Sequence, residues 1–293
     1  MYLSTVTNIF GTREDGSSFP MEESMKMCRE VGFKVLDASL HTALEKDNPL
    51  SSPDWEKWID KIANEKEKLG ITFESAHLPF FTINDKRFED EEEIEFFKNS
   101  LYRGIHACGS LGVKWAVVHV AHKSEEQGFA PDIKKKAIEF YTPFIEAALK
   151  ENVGIAFENT TTGNKCVIRY MLTAWELADF IDTVNAPNVG ACWDFGHANI
   201  IYKDQREALR TLGKRLKATH VHDNFGTTDA HMIPFTGNIQ WRPIMETLTE
   251  IGYDRAFTFE VSTNRNKPDF IQMLHAKHIY EVGLYLLSLA GKA

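Results

Sequence analysis

The sequence is short of several features that define other classes of protein. Its 293 residues include only 4 cysteines, and no two of them form a C-x-x-C pair. This spacing argues against a zinc knuckle or a redox-active dithiol and is typical of reduced thiols. No stretch approaches the roughly 18 apolar residues of a membrane span, and residues 1–15 lack the basic and apolar pattern of a signal peptide. We therefore expect a cytoplasmic protein without a membrane partner.

Positive charge is also scarce. The chain has 33 Lys and Arg against 42 Asp and Glu, a formal net charge of -9. Because binding to a phosphate backbone relies on Lys and Arg that displace counterions, this balance disfavours nucleic acid as the main partner. The 43% hydrophobic composition is that of an ordinary globular protein. Since no linker or shift in composition divides the chain, we expect one domain over residues 1–293.

Short apolar or β-branched runs alternate with segments of helical period, which is the pattern of repeated βα units. The predicted strands cover residues 2–8, 33–39, 71–78, 114–120, 153–159, 189–197, 218–224 and 256–262. Eight units with a spacing of roughly thirty residues predict an α/β fold, a single-domain (β/α)8 TIM barrel. A doubly wound open sheet is the rival, but it would carry G-x-G-x-x-G after its first strand, where this chain has N-I-F-G-T-R-E-D.

The segments between the strands predict amphipathic helices, several of which end at a glycine suited to a left-handed C-cap. They cover residues 21–32, 53–70, 93–112, 133–154, 172–185, 206–215 and 241–252. The acidic run at residues 88–97 is interpreted as the solvated start of the third helix, where negative side chains suit the helix dipole.

Metal-binding residue types end six consecutive predicted strands, the third to the eighth. These residues are His77, His119, Glu158, Asp194 with His197, His220 with His222 and Asp223, and Glu260. A single histidine at a strand end is more often a simple hydrogen-bonding residue. Carboxylates that follow buried runs are different, because an unpaired buried charge is costly unless a cation compensates it. Since the carboxyl ends of barrel strands meet at one rim, the set predicts a divalent metal site with mixed ligands suited to Zn, Mn or Co.

These motifs resemble those of the xylose isomerase-like TIM barrel superfamily, which includes sugar and sugar phosphate isomerases and epimerases and the endonuclease IV type of abasic-site nuclease (AP endonuclease family 2). The resemblance spans residues 77–260 in order. The resemblance implies that one metal ion is bound by Glu158 of F-E-N-T, Asp194 of D-F-G-H, His220 of H-V-H-D and Glu260 of F-E-V-S. The superfamily's H-x-x-D motif fits His220 and Asp223, so it favours His220 over His222 as the ligand. His222 and Asp223 are then expected to orient the ligands.

The nuclease branch of the superfamily binds further metal ions, and its additional ligands also have counterparts in this chain. They are His77, His119, His197, Asp229 and His231. One ion is expected, and up to three are compatible with these residues. The segment P-F-T-G-N-I-Q-W departs from the superfamily's P-G-x-G-x-I-D-W at Phe235 and Gln240. Because the sugar branch also keeps several of these residues, ligand number does not separate the branches.

The resemblance implies a divalent-metal-dependent sugar or sugar phosphate isomerase or epimerase. Glu158 and Glu260 would be the catalytic residues, transferring a proton through a metal-stabilised enediolate. The alternatives are an abasic-site phosphodiesterase and a lyase, dehydratase or C-glycoside-cleaving enzyme that uses the same metal site. The acidic rim segments 78–93 and 122–132 favour the sugar reaction over DNA binding. The expected partner is a small-molecule sugar, and a homo-oligomer is left open.

Other residues near the predicted rim have less specific roles. Aromatic residues could line a sugar site, although packing within the barrel is their commoner role, and cations could contact a phosphate, although solvated loop charges are commoner. The candidates are Phe80, Trp115, Trp193, Lys123, Lys165 and Arg169.

Overall fold

Eight parallel strands close into a barrel in which each strand pairs with the next along the chain and the last pairs with the first. The computed structural model describes residues 1–41, 48–80, 90–120, 130–161, 170–261 and 265–290. In chain order, the strands β1 to β8 are Tyr2–Val6, Val35–Ser39, Thr72–His77, Trp115–Val118, Gly154–Glu158, Val189–Asp194, Leu216–Val221 and Ala256–Phe259. The predicted (β/α)8 barrel is confirmed, and the strands are shorter than predicted mainly at their carboxyl ends.

Helices surround the barrel in the part of the chain that the structure describes. In chain order, α1 to α9 are Met21–Val31, Trp55–Leu69, Glu91–Leu111, Ala130–Lys150, Ala174–Val184, Phe195–Ile201, Arg206–Leu212, Trp241–Glu250 and Asp269–Ala290. The acidic run starts α3 as predicted, because the Asp90 carboxylate accepts hydrogen bonds from the backbone N–H groups of Glu92 and Glu93. None of these described helices is both long and apolar enough to cross a membrane.

The sequence analysis did not predict α6 and α9. The predicted sixth strand ran to residue 197, but β6 ends at Asp194, whose carboxylate accepts a hydrogen bond from the backbone N–H of His197 at 2.6 Å and caps α6. Helix α9 is rich in apolar residues on its exposed side as well, including Phe270 and Tyr285, so its sequence lacks a clear helical alternation of apolar and polar residues.

Alternation along the strands determines which side chains enter the barrel. Val117, Ala156, Cys192 and Ala218 pack together in a small interior cluster. The neighbour Phe157 points the other way, because its ring contacts Tyr141 of α4 and Phe180 of α5. Side chains two positions beyond the interior cluster therefore also face inward, one layer nearer the carboxyl-terminal rim. They are His119, Glu158, Asp194 and His220.

Trp115 closes the opposite end of the barrel. It is the first residue of β4, and the side chains of Lys217 and Arg255 each lie 5.7 Å from its ring centroid. The guanidinium of Arg255 also lies 3.3 Å from the Glu74 carboxylate. Trp115 therefore packs within the barrel, the commoner of the two roles considered for it, and does not line the rim, from which β4 separates it.

We predict that Gly154→Ala destabilises the barrel by about 1–3 kcal/mol, since extra volume in a packed interior forces neighbours to move. A Cβ atom at Gly154 would lie 2.4 Å from two ring carbons of Trp115. Urea unfolding of the wild type, Gly154→Ala, Trp115→Leu and the double variant measures this effect. The penalty of Gly154→Ala should largely disappear in the Trp115→Leu background. An equal penalty in both backgrounds would contradict the proposed steric cause.

Candidate metal centre

The four side chains predicted to bind one metal ion meet at the carboxyl-terminal rim. Glu158 and Asp194 end β5 and β6, His220 lies near the end of β7, and Glu260 follows β8. One ligand atom from each of the four residues lies within 4.8 Å of those of the other three. The first three side chains are buried, whereas the Glu260 side chain is 25% exposed. The cluster is therefore reached from solvent on the Glu260 side.

The donor set of this cluster suits a divalent ion. His220 Nδ1 lies 3.0 Å from Glu158 Oε2 and 3.5 Å from Glu260 Oε2, so one imidazole nitrogen and two carboxylates face a common point. Asp194 adds a third carboxylate. Carboxylates this close repel one another unless positive charge lies between them. Three oxygen ligands and one nitrogen ligand fit Zn, Mn or Co, and the assignment of the four residues as ligands stays a prediction.

Without a metal ion, the histidines supply the positive charge. Burial raises the pKa of Glu158, but the neighbouring His220 and His119 rings lower this pKa further and hold it well below its ordinary value. Burial likewise lowers the pKa of His197, but the charge of Asp194 raises it well above its ordinary value. The metal-free cluster therefore keeps ionised carboxylates beside protonated imidazoles. A bound cation would take the place of those protons.

His222 lies where the sequence analysis expects a residue that orients a ligand. Its Nε2 atom lies 3.0 Å from Asp194 Oδ2, while Asp194 Oδ1 accepts the hydrogen bond that caps α6. Both oxygens of the Asp194 carboxylate are therefore held in place. Gly196 makes room for this arrangement, because a Cβ atom there would lie 1.8 Å from Cε1 of His222.

Asp223 has a different position from the one expected. Its carboxylate accepts hydrogen bonds from the loop that follows β7 instead of contacting a predicted ligand. The donors are the backbone N–H groups of Asn224, Phe235 and Ile239 and the indole Nε1–H of Trp241, at 2.9–3.1 Å. Asp223 therefore fixes the loop that carries Asp229 and His231.

Three of the additional predicted ligands form a second group beside the first. Asp229 Oδ2 lies 3.2 Å from Nε2 of both His197 and His231. His231 Nδ1 donates a hydrogen bond to the backbone carbonyl of Glu260 at 2.8 Å, which anchors the ring to β8. Burial lowers the pKa of His231, but the hydrogen bond that its ring donates to Asp229 and the charge of Glu260 raise this pKa to about 10.

The remaining two additional residues, His119 and His77, each contact a carboxylate of the four-residue cluster. His119 Nε2 is 3.1 Å from Glu158 Oε2, and His77 Nε2 is 3.7 Å from Glu260 Oε1. The Phe80 ring stacks on His119 with centroids 4.3 Å apart, so Phe80 does lie at the site. Trp193 does not, because it faces the helices and its buried indole N–H donates to Gln205 at 2.9 Å. Lys123, Lys165 and Arg169 lie outside the described residues.

Two residues that support the site are absent from the predicted set, Asp37 and Asn159. Asp37, fully buried on β2, places Oδ1 2.8 Å from Nδ1 of His77. Asn159 joins β5 to β6, because its side chain accepts a hydrogen bond from the Asp194 backbone N–H at 2.7 Å and donates one to the Asp194 carbonyl at 3.0 Å. Asp37 lies within its strand and not at the strand end. The sequence feature that could have identified Asp37 is a carboxylate between the apolar neighbours Leu36 and Ala38, which predicts a buried charge in need of a partner.

A (β/α)8 barrel with histidines and carboxylates around its carboxyl-terminal rim defines a class of metal-binding barrel proteins. Within this class, the family model described as the xylose isomerase-like TIM barrel matches residues 25–281. The chain belongs to this family, as the sequence motifs indicated.

Curated relatives match parts of the chain. Inosose isomerase of Bacillus subtilis is 27% identical over 192 residues, which cover 63% of this chain and 65% of that protein. The uncharacterized protein MJ1311 of Methanocaldococcus jannaschii is 25% identical over 200 residues, covering 67% and 66% of the two chains. Protein y4fM of Sinorhizobium fredii is 36% identical over 91 residues, covering 30% and 29%. The chain therefore spans 29% to 66% of the length of these relatives.

Solved structures share the fold along nearly the whole chain. A D-tagatose 3-epimerase-like protein superposes with a TM-score of 0.76 at 21% identity, covering 98% of both chains. The IOLI protein, solved with a zinc atom, superposes with a TM-score of 0.75 at 19% identity over 100% of both chains. At these identities, the superpositions establish a common architecture.

We predict that Gly196→Ala weakens binding of a divalent ion by at least about 10-fold, the usual scale for loss of a residue that supports a ligand. The added methyl group would displace His222, and Asp194 would lose the contact that fixes its Oδ2 atom. Competition with a chromogenic chelator measures the affinity. Gly109→Ala is the matched control, because it adds the same methyl group within α3, where the nearest atoms belong to Glu151 and not to a candidate ligand or its support. Equal affinities for the two variants would contradict the role assigned to Gly196.

Proposed function

We propose that this protein is a divalent-metal-dependent sugar or sugar phosphate isomerase or epimerase. The observation that carries the proposal is the convergence of Glu158, Asp194, His220 and Glu260 within 4.8 Å at the barrel rim. The names of the relatives support the substrate class, because they include inosose isomerase and structures described as D-psicose 3-epimerase and L-ribulose 3-epimerase. Isomerases and epimerases both need a proton moved at a carbon next to a carbonyl.

In the proposed reaction, Glu158 and Glu260 move that proton. A divalent ion held by the four residues would polarise the substrate carbonyl and make the neighbouring C–H group more acidic. The two glutamates approach His220 Nδ1 from β5 and β8, so they flank the point where the substrate would meet the cluster. An epimerase needs one carboxylate on each face of the reacting carbon, whereas an isomerase needs one that carries the proton between adjacent carbons. This pair can serve either reaction.

The surrounding side chains suit a polyhydroxylated substrate. His77, His119, His197 and His231 border the cluster with ring nitrogens able to hydrogen-bond hydroxyl groups. A cavity of about 520 Å³ lies at the ends of β1 and β2, lined by polar Asn8 and Ser39 and by aromatic Phe10, Phe19 and Trp58. None of the candidate ligands lines it, but Ser39 pairs in register with His77, so the cavity and His77 belong to neighbouring strands. Apolar walls with a few polar groups are typical of small-molecule sites.

We predict that purified protein binds at least one divalent ion tightly and that Glu158→Gln weakens this binding by more than about 10-fold, because a charged ligand becomes a neutral amide. Metal analysis before and after dialysis against a chelator gives the stoichiometry, and chelator competition gives the affinity. Glu74→Gln is a matched control, since Glu74 pairs with Arg255 at the far end of the barrel. A Glu158→Gln variant with wild-type affinity would rule out the predicted ligand set.

We also predict that the metal-loaded protein exchanges a carbon-bound proton of a ketose substrate with solvent deuterium. Glu158→Gln and Glu260→Gln should each slow this exchange by about 10²–10⁴-fold, the usual contribution of a general acid or base. Nuclear magnetic resonance of candidate ketoses incubated in D₂O measures the reaction. Cleavage of an abasic DNA duplex at physiological salt, lost in His231→Ala and without ketose exchange, would favour the phosphodiesterase alternative. Loss of water or of a C-linked group from the substrate would favour the lyase alternatives.

A further inference from the structure

Beneath the rim, the barrel interior contains buried polar atoms that lack a direct hydrogen-bond partner among the described residues. They belong to side chains on β1, β2, β3, β7 and β8, and the strand registers place Ser4 beside Thr258, Thr258 beside His220, and Asp37 beside Ser75. The atoms are Ser4 Oγ, Asp37 Oδ2, Ser75 Oγ, His220 Nε2 and Thr258 Oγ1. Buried polar groups are normally satisfied by protein or by ordered water, so a shared partner is expected here.

Asp37 lies beside two stacked histidines of this region. The rings of His77 and His220 are nearly parallel, with centroids 4.2 Å apart and planes inclined by 15°. Asp37 Oδ1 is 2.8 Å from His77 Nδ1. A carboxylate oxygen of Asp37 and one ring nitrogen of each histidine lie within 4.8 Å of one another, a separation that a single water molecule can bridge.

The orientation of His220 assigns a proton to its Nε2 atom. Nδ1 faces Glu158 and Glu260, so it is the nitrogen that would bind the metal ion. A neutral imidazole that binds through Nδ1 carries its hydrogen on Nε2 and must donate it. Histidines that bind metal usually donate this second N–H group to a carboxylate, a carbonyl or water. Asp37 is the buried carboxylate on this side of the ring.

We propose that Asp37 is a positioning residue for both stacked histidines. Its Oδ1 atom accepts the Nδ1–H of His77, and its Oδ2 atom accepts the Nε2–H of His220 through one buried water that also contacts the hydroxyls of Ser75 and Thr258. One carboxylate thereby presents His220 Nδ1 to the metal position and His77 Nε2 to the space beside Glu260. This inference rests on the metal site proposed above and adds a residue that touches neither metal nor substrate.

Asp37→Asn tests the proposal because it keeps the size of the side chain and removes its charge. In the variant, one polar end of the amide is a donor and no longer an acceptor, so the two N–H groups cannot both be satisfied. We expect zinc binding by the full-length protein, measured by chelator competition, to weaken about 10- to 100-fold. Glu74→Gln should bind zinc like the wild type. An Asp37→Asn affinity within about threefold of the wild type would overturn the proposal.

A spectroscopic measurement distinguishes positioning from a general loss of stability. In zinc-loaded wild type labelled with ¹⁵N-histidine, two-bond ¹H–¹⁵N spectra should show His77 protonated at Nδ1 and His220 protonated at Nε2, with the His77 pattern altered in Asp37→Asn. Wild-type His77 protonated only at Nε2 would contradict the inference, even if Asp37→Asn does not fold. Wild-type protein that binds no zinc but retains the His77–Asp37 hydrogen bond would refute the metal site and leave that bond established.

Discussion

Mutual repulsion among three carboxylates, Glu158, Asp194 and Glu260, is the constraint on which the rest of the rim depends. They point toward one another from three strands, and Glu158 and Asp194 are buried. Such an arrangement is unfavourable unless cationic groups lie among the oxygens. In the metal-free protein, imidazoles meet this need, because His220 and His197 lie at 3.0 Å and 3.4 Å from Glu158. The histidines and carboxylates therefore require one another, and a divalent ion can replace the protons that they share.

The barrel interior makes this convergence possible. The layer below the ligands is formed by small or short side chains, Val117, Ala156, Cys192 and Ala218, and the ligands form the next inward-facing layer toward the rim. The ligands are then fixed by separate contacts from the scaffold. Asp194 is held by His222 and by the Asn159 bridge between β5 and β6. These supports lie on strands and their immediate ends, where backbone pairing limits movement.

Much of this arrangement could be predicted from the sequence because a parallel barrel converts order along the chain into position around a rim. The positions of Glu158, Asp194, His220 and Glu260 follow from locating the strand ends. Contacts between side chains do not follow in the same way. Trp115 begins β4 and His119 follows it, but Trp115 belongs to the opposite end of the barrel. Asp37 is absent from the predicted set because it lies within its strand. Asp223 is expected from the sequence to orient the ligands, but its hydrogen bonds lead to the next loop.

The proposed chemistry of the site and its proposed specificity depend on different parts of the structure, the strand ends and the loops that follow them. In the proposed reaction, proton transfer would use the carboxylates and imidazoles of the strand ends, whose geometry the barrel determines. Choice of substrate would depend on the segments that follow the strands, such as the loop held by Asp223. Four bonds to one buried carboxylate make that loop part of the rigid scaffold. Asp229 and His231 are therefore held in a fixed position at the rim, so any contribution that they make to the proposed specificity would be set by the fold at β7.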